Sequence, residues 1–338
     1  MIFSRLGMMV LAVLAAASFP APLLARVDQP PACLGRDLLP GLAATAETAA
    51  RIEAAAAKIA NGAALLWRVS RADVKPSYLF GTIHLTDKRV TKLSDAVSSA
   101  LARAKRVALE VADVSPQAFA VALGRVHDRV VFSDDRSVFE TLNETERTSM
   151  SAALVGVGIP SESQKALRPW FVTMMLAIPK CERMRLEAGL QPLDLQIGAL
   201  ARKRGAEVLS LETLEGQLSA MASIPETDQI IVLKAALKTI AQTPDAIESM
   251  VQRYLSKDIA TILPMQAELL RAAGFDPAIM DSFYRAVLSA RNPGMRDAAL
   301  PILAQGEAFI AVGALHLAGE NGLVALLRAA GFEVDAIE

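Results

Sequence analysis

The chain has 338 residues, carries 35 basic against 36 acidic side chains, and is 53% hydrophobic but only 5% aromatic. That length can bury a sizeable core, as one large domain or two. Balanced charge with no basic block argues against a nucleic-acid partner, and the scarcity of aromatic residues leaves no platform on which bases could stack.

Residues 1–25 read as a signal peptide. Arg5 is the one charge before Arg26, Leu6 to Phe19 is apolar, and small residues and proline lead to a cut after Ala25, although Leu23 stands where a small residue is preferred. A bilayer span needs about 20 apolar residues. This run is shorter, which favours cleavage over a retained membrane anchor. No other stretch is long and uncharged enough to cross a membrane, so no stable membrane insertion is expected after cleavage. The expected location is periplasmic or secreted. In such an oxidising compartment the two cysteines, Cys33 and Cys181, suggest a disulfide. Closing so long a loop would stabilise the fold by roughly 4–5 kcal/mol on the chain-entropy account. Two unpaired thiols are the alternative.

Residues 26–62 read as an N-terminal extension followed by a helix, Glu47 to Ala60, that ends on Asn61-Gly62. Strands are expected at Leu65 to Val69 and Tyr78 to Ile83, paired as a hairpin across a polar loop containing Lys75-Pro76-Ser77. Leu93 to Ala104 has helical spacing of apolar residues, and Arg106 to Val111 reads as a buried strand. Strand, helix and strand in this order make a βαβ unit with parallel strands.

From Pro116 to about Gly189 helices dominate. They include Pro116 to Val126 and Asn143 to Val155, the latter with Asn143 and Glu146 in capping-box positions, and the apolar run Trp170 to Ile178 stops at Pro179. A helix from Leu193 to Arg204 and a strand from Glu207 to Leu211 follow. Between Leu214 and Gln305 only helices are expected, with starts at Thr243-Pro244 and Asp276-Pro277. Ala308 to Leu315 is a strand, Asn321 to Ala330 a helix, and Phe332 to Ile337 the last strand. The expected fold class is α/β, its central sheet formed by N- and C-terminal α/β segments with a large helical middle. No linker divides residues 63–338, which read as one domain.

Two of the three histidines, His84 and His316, share one context: an apolar strand, then Gly-x-x-His, then leucine. Glycines 81 and 313 allow a sharp turn and close backbone approach there. Glu110 is an acid in an apolar strand, costly to bury unless it is paired or bound to a metal. Ligands of open parallel α/β sheets bind at the carboxyl ends of the strands, where His84, Glu110, Glu212 and His316 would converge. Two imidazoles and a carboxylate suit Zn, Mn, Co or Fe(II) with open positions. An ion there lowers the pKa of water and polarises a carbonyl, as hydrolysis requires. Asp87, Asp113 or Glu212 could take the proton, and Arg291 could stabilise an oxyanion.

Blander roles compete. A strand-end histidine can be a structural hydrogen-bonding residue, Glu110 can pair with Arg106 or with an arginine of a helix, Glu212 can cap the next helix, and Arg291 can make a structural ion pair. His127 has no glycine turn and reads as a surface residue. No Gly-x-Ser-x-Gly elbow, P-loop, dinucleotide fingerprint or His-Glu-x-x-His helix is present.

At these residues the chain resembles the TraB/GumN family, which includes the Tiki proteins. The matching pieces are Ser77-Tyr78-Leu79-Phe80-Gly81-Thr82-Ile83-His84, Ala108-Leu109-Glu110-Val111, Leu211-Glu212-Thr213, Arg291-Asn292-x-x-Met295, and Val312-Gly313-Ala314-Leu315-His316-Leu317-x-Gly319-Glu320-x-Gly322-Leu323. Their order and spacing match over roughly residues 62–338 and look like a bacterial GumN-type exported member.

The resemblance implies an erythromycin-esterase/ChaN-like fold and, by way of the Tiki branch, a metallopeptidase using Mn or Co. His84, Glu110 and His316 would be the metal residues, with Arg291 and Asn292 behind them or on the substrate. Ala290 replaces the glutamate that Tiki proteins carry before the Arg-Asn pair. Ala112 replaces an acid after Val111, with Asp113 next, so the resemblance assigns no catalytic base. Expected is a hydrolase of a peptide or other small substrate using Mn, Co or Zn. The alternative is a non-catalytic protein that sequesters a peptide or haem in the same cleft.

Overall fold

Six strands form one mixed sheet in the order β4-β3-β5-β2-β1-β6. They are β1 (Leu66–Arg71), β2 (Val74–Thr82), β3 (Arg106–Leu109), β4 (Glu207–Ser210), β5 (Ala308–Gly313) and β6 (Glu333–Ala336). The structure, a computed structural model, describes residues 33–338. The signal-peptide reading of residues 1–25 and the start of the extension lie outside the described residues.

β2 and β3 both run parallel to β5, which lies between them. The expected βαβ unit therefore exists, but its strands are not neighbours. The helix Asp95–Arg103 carries the chain across a gap that β5 fills. β5 is apolar along its length because both faces are covered, as in parallel sheets generally. β4 extends the parallel part, and β1 and β6 add antiparallel strands on the other side. The α/β fold class, with its sheet drawn from both ends of the chain, is thus the observed one.

The hairpin differs from expectation in its turn. Ala72-Asp73 makes it, with Asp73 at φ 64°, a conformation that Asp tolerates better than most residues. Lys75-Pro76-Ser77 belongs to β2 and is not a loop. Pro76, with no N–H for the ladder, sits where the β1/β2 register is irregular, between Val69 and Arg71 on the partner strand.

Side-chain alternation divides the core. Phe80, Val107, Leu109, Phe309 and Ala311 face one layer, with Val97 and Leu101 of the Asp95–Arg103 helix and Leu193 and Ile197 of the Leu193–Lys203 helix. Leu79, Ala108, Ile310 and Val312 face the other, against Met295 and Ala299 of the helix Asn292–Leu303 and Leu323 and Leu327 of the helix Leu323–Ala329. A third cluster, including Met150, Trp170, Phe171 and Leu233, holds part of the helical middle together. There the capping box of Asn143 and Glu146 starts the helix Glu144–Val155 as expected.

Cys33 and Cys181 are disulfide-bonded across 148 residues of sequence, a closure worth on the order of 5 kcal/mol by chain entropy. Among the described residues, no helix is long and apolar enough to cross a membrane.

Leu79 is fully buried in β2 beside the site-bearing turn. Leu79→Ala should lower unfolding free energy by about 2–5 kcal/mol, read from the midpoint shift in a urea titration at unchanged slope.

Candidate functional site

The two Gly-x-x-His turns lie side by side because β2 and β5 pair in parallel, with Gly81 opposite Val312 and Thr82 opposite Gly313. Close packing fixes them. A Cβ on Gly81 would come within 2.8 Å of Leu317 Cδ1 and 3.0 Å of Ala314 Cα. Tyr254, from the helix Thr243–Leu255, donates its hydroxyl to the Gly81 carbonyl at 2.8 Å.

β3 ends at Leu109, so Glu110 is the first residue beyond the strand. Its Oε1 lies 3.8 Å from Nε2 of His84 and 3.8 Å from Nε2 of His316. The same oxygen accepts the Gly313 N–H at 2.6 Å. A Cβ on Gly313 would enter the space the three share, 3.1 Å from Glu110 Oε1, 3.5 Å from His84 Nε2 and 3.5 Å from His316 Cδ2.

Each imidazole is oriented by its other nitrogen. His84 Nδ1 donates to Asp194 Oδ1 at 3.1 Å; Asp194 is in the first turn of the Leu193–Lys203 helix. His316 Nδ1 meets Asn292 Oδ1 at 2.6 Å, and Asn292 Nδ2 donates to the Asn321 carbonyl at 2.7 Å. Since a carbonyl can only accept, the Asn292 amide nitrogen must face Asn321. That leaves its oxygen to receive a proton from His316 Nδ1. The lone pair of neutral His316 is then on Nε2, facing Glu110.

Arg291 closes the back of the site. Its Nη2 donates to Glu110 Oε2 at 2.8 Å and Glu212 Oε2 at 2.5 Å, its Nε to Glu212 at 3.1 Å, and its Nη1 to the Val287 carbonyl at 2.6 Å. Four of a guanidinium's five N–H groups are thereby committed. Val287 belongs to a π-helical stretch, Arg285–Ser289, of a kind often found at functional sites. Gln217 donates to both Glu110 Oε2 (3.1 Å) and Glu212 Oε2 (3.3 Å).

Burial opposes charge on Glu110. The neighbouring His316 and His84, Arg291 and the Gly313 N–H outweigh it and bring its pKa down to about 2. Burial pushes His316 down to about 4 against the attraction of Glu110, with Arg291 and His84 adding to the shift. For His84 partial desolvation is outweighed by the hydrogen bond and charge of Asp194, with the charge of Glu110, which raise it to about 9. The site is lopsided: the His84 side chain is 58% exposed and His316 only 4%. Approach is from the His84 side.

The structure thus brings together His84, Glu110, His316, Arg291, Asn292 and Glu212. Two alternatives are overturned. Glu212 does not cap the next helix; Thr213 does, accepting the Gly216 N–H, and Glu212 is drawn to Arg291. Glu110 does not pair with Arg106, which lies beside Glu207; the arginine it meets is Arg291, at the start of the helix Asn292–Leu303. Asp87 is engaged in capping a short helix and binding Arg89, and Asp113 accepts the Ser115 N–H, so neither is among the site contacts. His127 is a half-exposed residue beside Asp128. Asp194 and Gln217 were missed. Asp194 looks like an ordinary first-turn acid, and no motif links it to His84. Gln217 follows Glu212 by five residues, a spacing that means nothing until the turn between them is known.

The side-chain types gathered here, two imidazoles and a carboxylate, are ones that can ligate divalent cations. With His316 neutral and His84 protonated, the carboxylates of Glu110, Glu212 and Asp194 against Arg291 and His84 leave one negative charge, and a cation bound at His84 would have to displace its proton. Histidines whose second nitrogen donates to a carboxylate or carbonyl oxygen are the usual form of metal-ligating histidine. The spacing is nevertheless open. Among the described residues, no group of three or more His, Cys, Asp or Glu side chains is arranged as a set that could hold a metal ion.

The chain with this parallel-centred α/β sheet and its paired Gly-x-x-His turns also matches a known family by sequence. Residues 65–336 match the TraB/PrgY/gumN family, and the chain belongs to it. It is similar to an uncharacterized protein YbaP of Shigella flexneri, 24% identical over 257 residues, which cover 75% of this chain and 88% of that one. It is also similar to the uncharacterized YbaP of Escherichia coli K12, 24% identical over 256 residues, covering 74% and 87% of the two chains. No solved structure matches the chain significantly.

Gly313→Ala should push the Glu110 carboxylate back slightly, since the added Cβ would lie 3.1 Å from Oε1 but at ordinary contact distance from both rings, seen as small shifts of the imidazole signals in NMR. Glu110→Gln tests the charge. A carboxyl with a folded pKa of about 2, against an ordinary 4.5, adds stability that is complete above pH 4.5 and disappears as pH falls from there through 2. Acid titration of metal-free protein should therefore show a shallower loss of stability over that range in Glu110→Gln than in wild type.

Proposed function

We propose that the protein is an exported metal-dependent hydrolase, most simply a peptidase, in which His84, Glu110 and His316 hold one divalent ion. The observation that carries this reading is the approach of both Nε2 atoms to the same Glu110 oxygen, with both Nδ1 atoms taken up elsewhere. Neutral His316 faces Glu110 lone pair to lone pair, and a cation resolves that opposition. Mn, Co or Zn at this point would polarise a substrate carbonyl and make water a better nucleophile.

The chain's own residues do the rest. Asp194 and Asn292 hold the ring orientations. Arg291 and Gln217 hold Glu110 and Glu212 in register, and the exposed flank of His84 admits the substrate. Glu212 is the carboxylate within this cluster available to receive a proton. Arg291, with so many of its donors engaged, acts as a fixed charge behind the carboxylates more than as a donor to an oxyanion. The Cys33–Cys181 disulfide supports a periplasmic or secreted location. The erythromycin-esterase/ChaN-like relationship of the sheet belongs to the same proposal.

The second reading is a non-catalytic protein that sequesters a peptide or haem in this cleft. The open spacing of the candidate ligands favours it.

Metal analysis coupled to a peptide-library screen separates the two. The hydrolase reading expects about one ion per chain after reconstitution with Mn, Co or Zn, lost in His84→Ala and His316→Ala, together with cleavage that disappears in the same variants. Wild-type protein that takes up no transition metal sinks it. Metal uptake without any cleavage moves the balance to sequestration.

A further inference from the structure

More than half of the His84 side chain is exposed, so packing alone does not hold it. Its loop is held from the helical middle. The Leu85 carbonyl accepts the Leu193 N–H at 3.2 Å, one residue before the Asp194 that grips the ring. One residue further, the Thr86 N–H and hydroxyl donate to the two carboxylate oxygens of Glu182, at 2.6 and 3.0 Å.

That second grip is unusual in its burial. Thr86 is 4% exposed and Glu182 3%, and a carboxylate in such a place is costly unless its hydrogen bonds and charge are matched. Both Thr86 donors and Arg185, 3.6 Å from Glu182 Oε2, supply the match. Glu182 is also the one buried residue of its helix, Lys180–Glu187. The apolar Met184 and Leu186 of that helix face outward. Apolar packing therefore does little to fix the helix. Its specific attachments include the Thr86 contact and, at the adjacent residue, the disulfide from Cys181 to Cys33.

We infer that Glu182 is a positioning residue for His84: its buried carboxylate pins Thr86, and the Cys33–Cys181 disulfide holds the helix that presents it. A covalent link outside the cluster thereby sets how firmly the imidazole is offered to a ligand. The functional consequence rests on the metal-site reading, whereas the positioning of the ring does not.

The three histidines give a simple set of imidazole signals by NMR, and the test uses the whole mature chain. Glu182→Ala, and separately the double variant Cys33→Ser/Cys181→Ser, should shift and broaden the His84 signal and leave those of His316 and His127 in place. Binding of Mn or Zn should weaken by roughly tenfold or more. Thr86→Ser keeps both donors and should behave as wild type. Thr86→Val removes only the hydroxyl at nearly constant shape and should show part of the shift, which decides the matter if Glu182→Ala does not fold. A His84 signal unmoved in both Glu182→Ala and Thr86→Val overturns the inference, even if thermal stability drops. A shifted signal in a protein that binds no metal sustains the positioning role while removing the metal reading.

Discussion

Glu110 carries charge where water scarcely reaches, and the geometry at the end of the sheet follows from what that charge requires. An isolated carboxylate so placed would be neutralised or would cost several kcal/mol. The fold answers with a backbone N–H from Gly313, a guanidinium from Arg291, an amide from Gln217 and the His84 imidazole. These come from four regions of the chain, apart from β3, which carries Glu110 itself. Correct placement of one side chain thus demands that β3, β5, the turn after β2, the helix after β4 and the start of the Asn292–Leu303 helix all arrive together. The glycines at 81 and 313 are part of the same demand, since a side chain at 81 would collide with the neighbouring turn and one at 313 would crowd the carboxylate.

The two histidines look alike in sequence and differ in circumstance. His316 is enclosed and held by an amide, a neutral partner that leaves the ring uncharged. His84 stands at the opening and is held by a carboxylate, which favours its protonated form. Duplicate motifs have produced one rigid wall and one accessible gate-post. The difference arises from Asp194 and Asn292, which lie far from both motifs in sequence.

Much of the architecture was legible because its signals are local. Alternation and apolar runs located all six strands to within a few residues, except that β2 begins four residues earlier than its apolar segment suggests. Pro76 disguised that extension, because a proline inside a strand ordinarily argues against one. The pairing order was not legible: nothing in the β2–helix–β3 segment announces that a strand from the far end will lie between them. At the site, His84, Glu110 and His316 were visible as chemical anomalies in apolar surroundings. Glu212 was open to the wrong role, since whether an acid after a strand caps a helix or meets an arginine depends on tertiary approach, whereas the ion pair read for Arg291 is present, with its partners unnamed by the sequence. Asp194 and Gln217 carry no anomaly at all and become functional candidates only by proximity.

The interleaving of β5 bears on how the molecule comes into being. β2 and β3 can form with their connecting helix early in folding, yet they cannot pair with each other in the final sheet. The slot between them waits for a segment that lies beyond the entire helical middle. Such long-range pairing is entropically slow to form. Until it happens, the flanking strands expose unpaired edges and Glu110 lacks the Gly313 N–H. Insertion of β5 therefore joins the two halves of the sheet and brings the Gly313 N–H and His316 to Glu110 at once. A chain arrested before that step would be incomplete in topology and chemistry alike, with the sticky strand edges that favour misassembly.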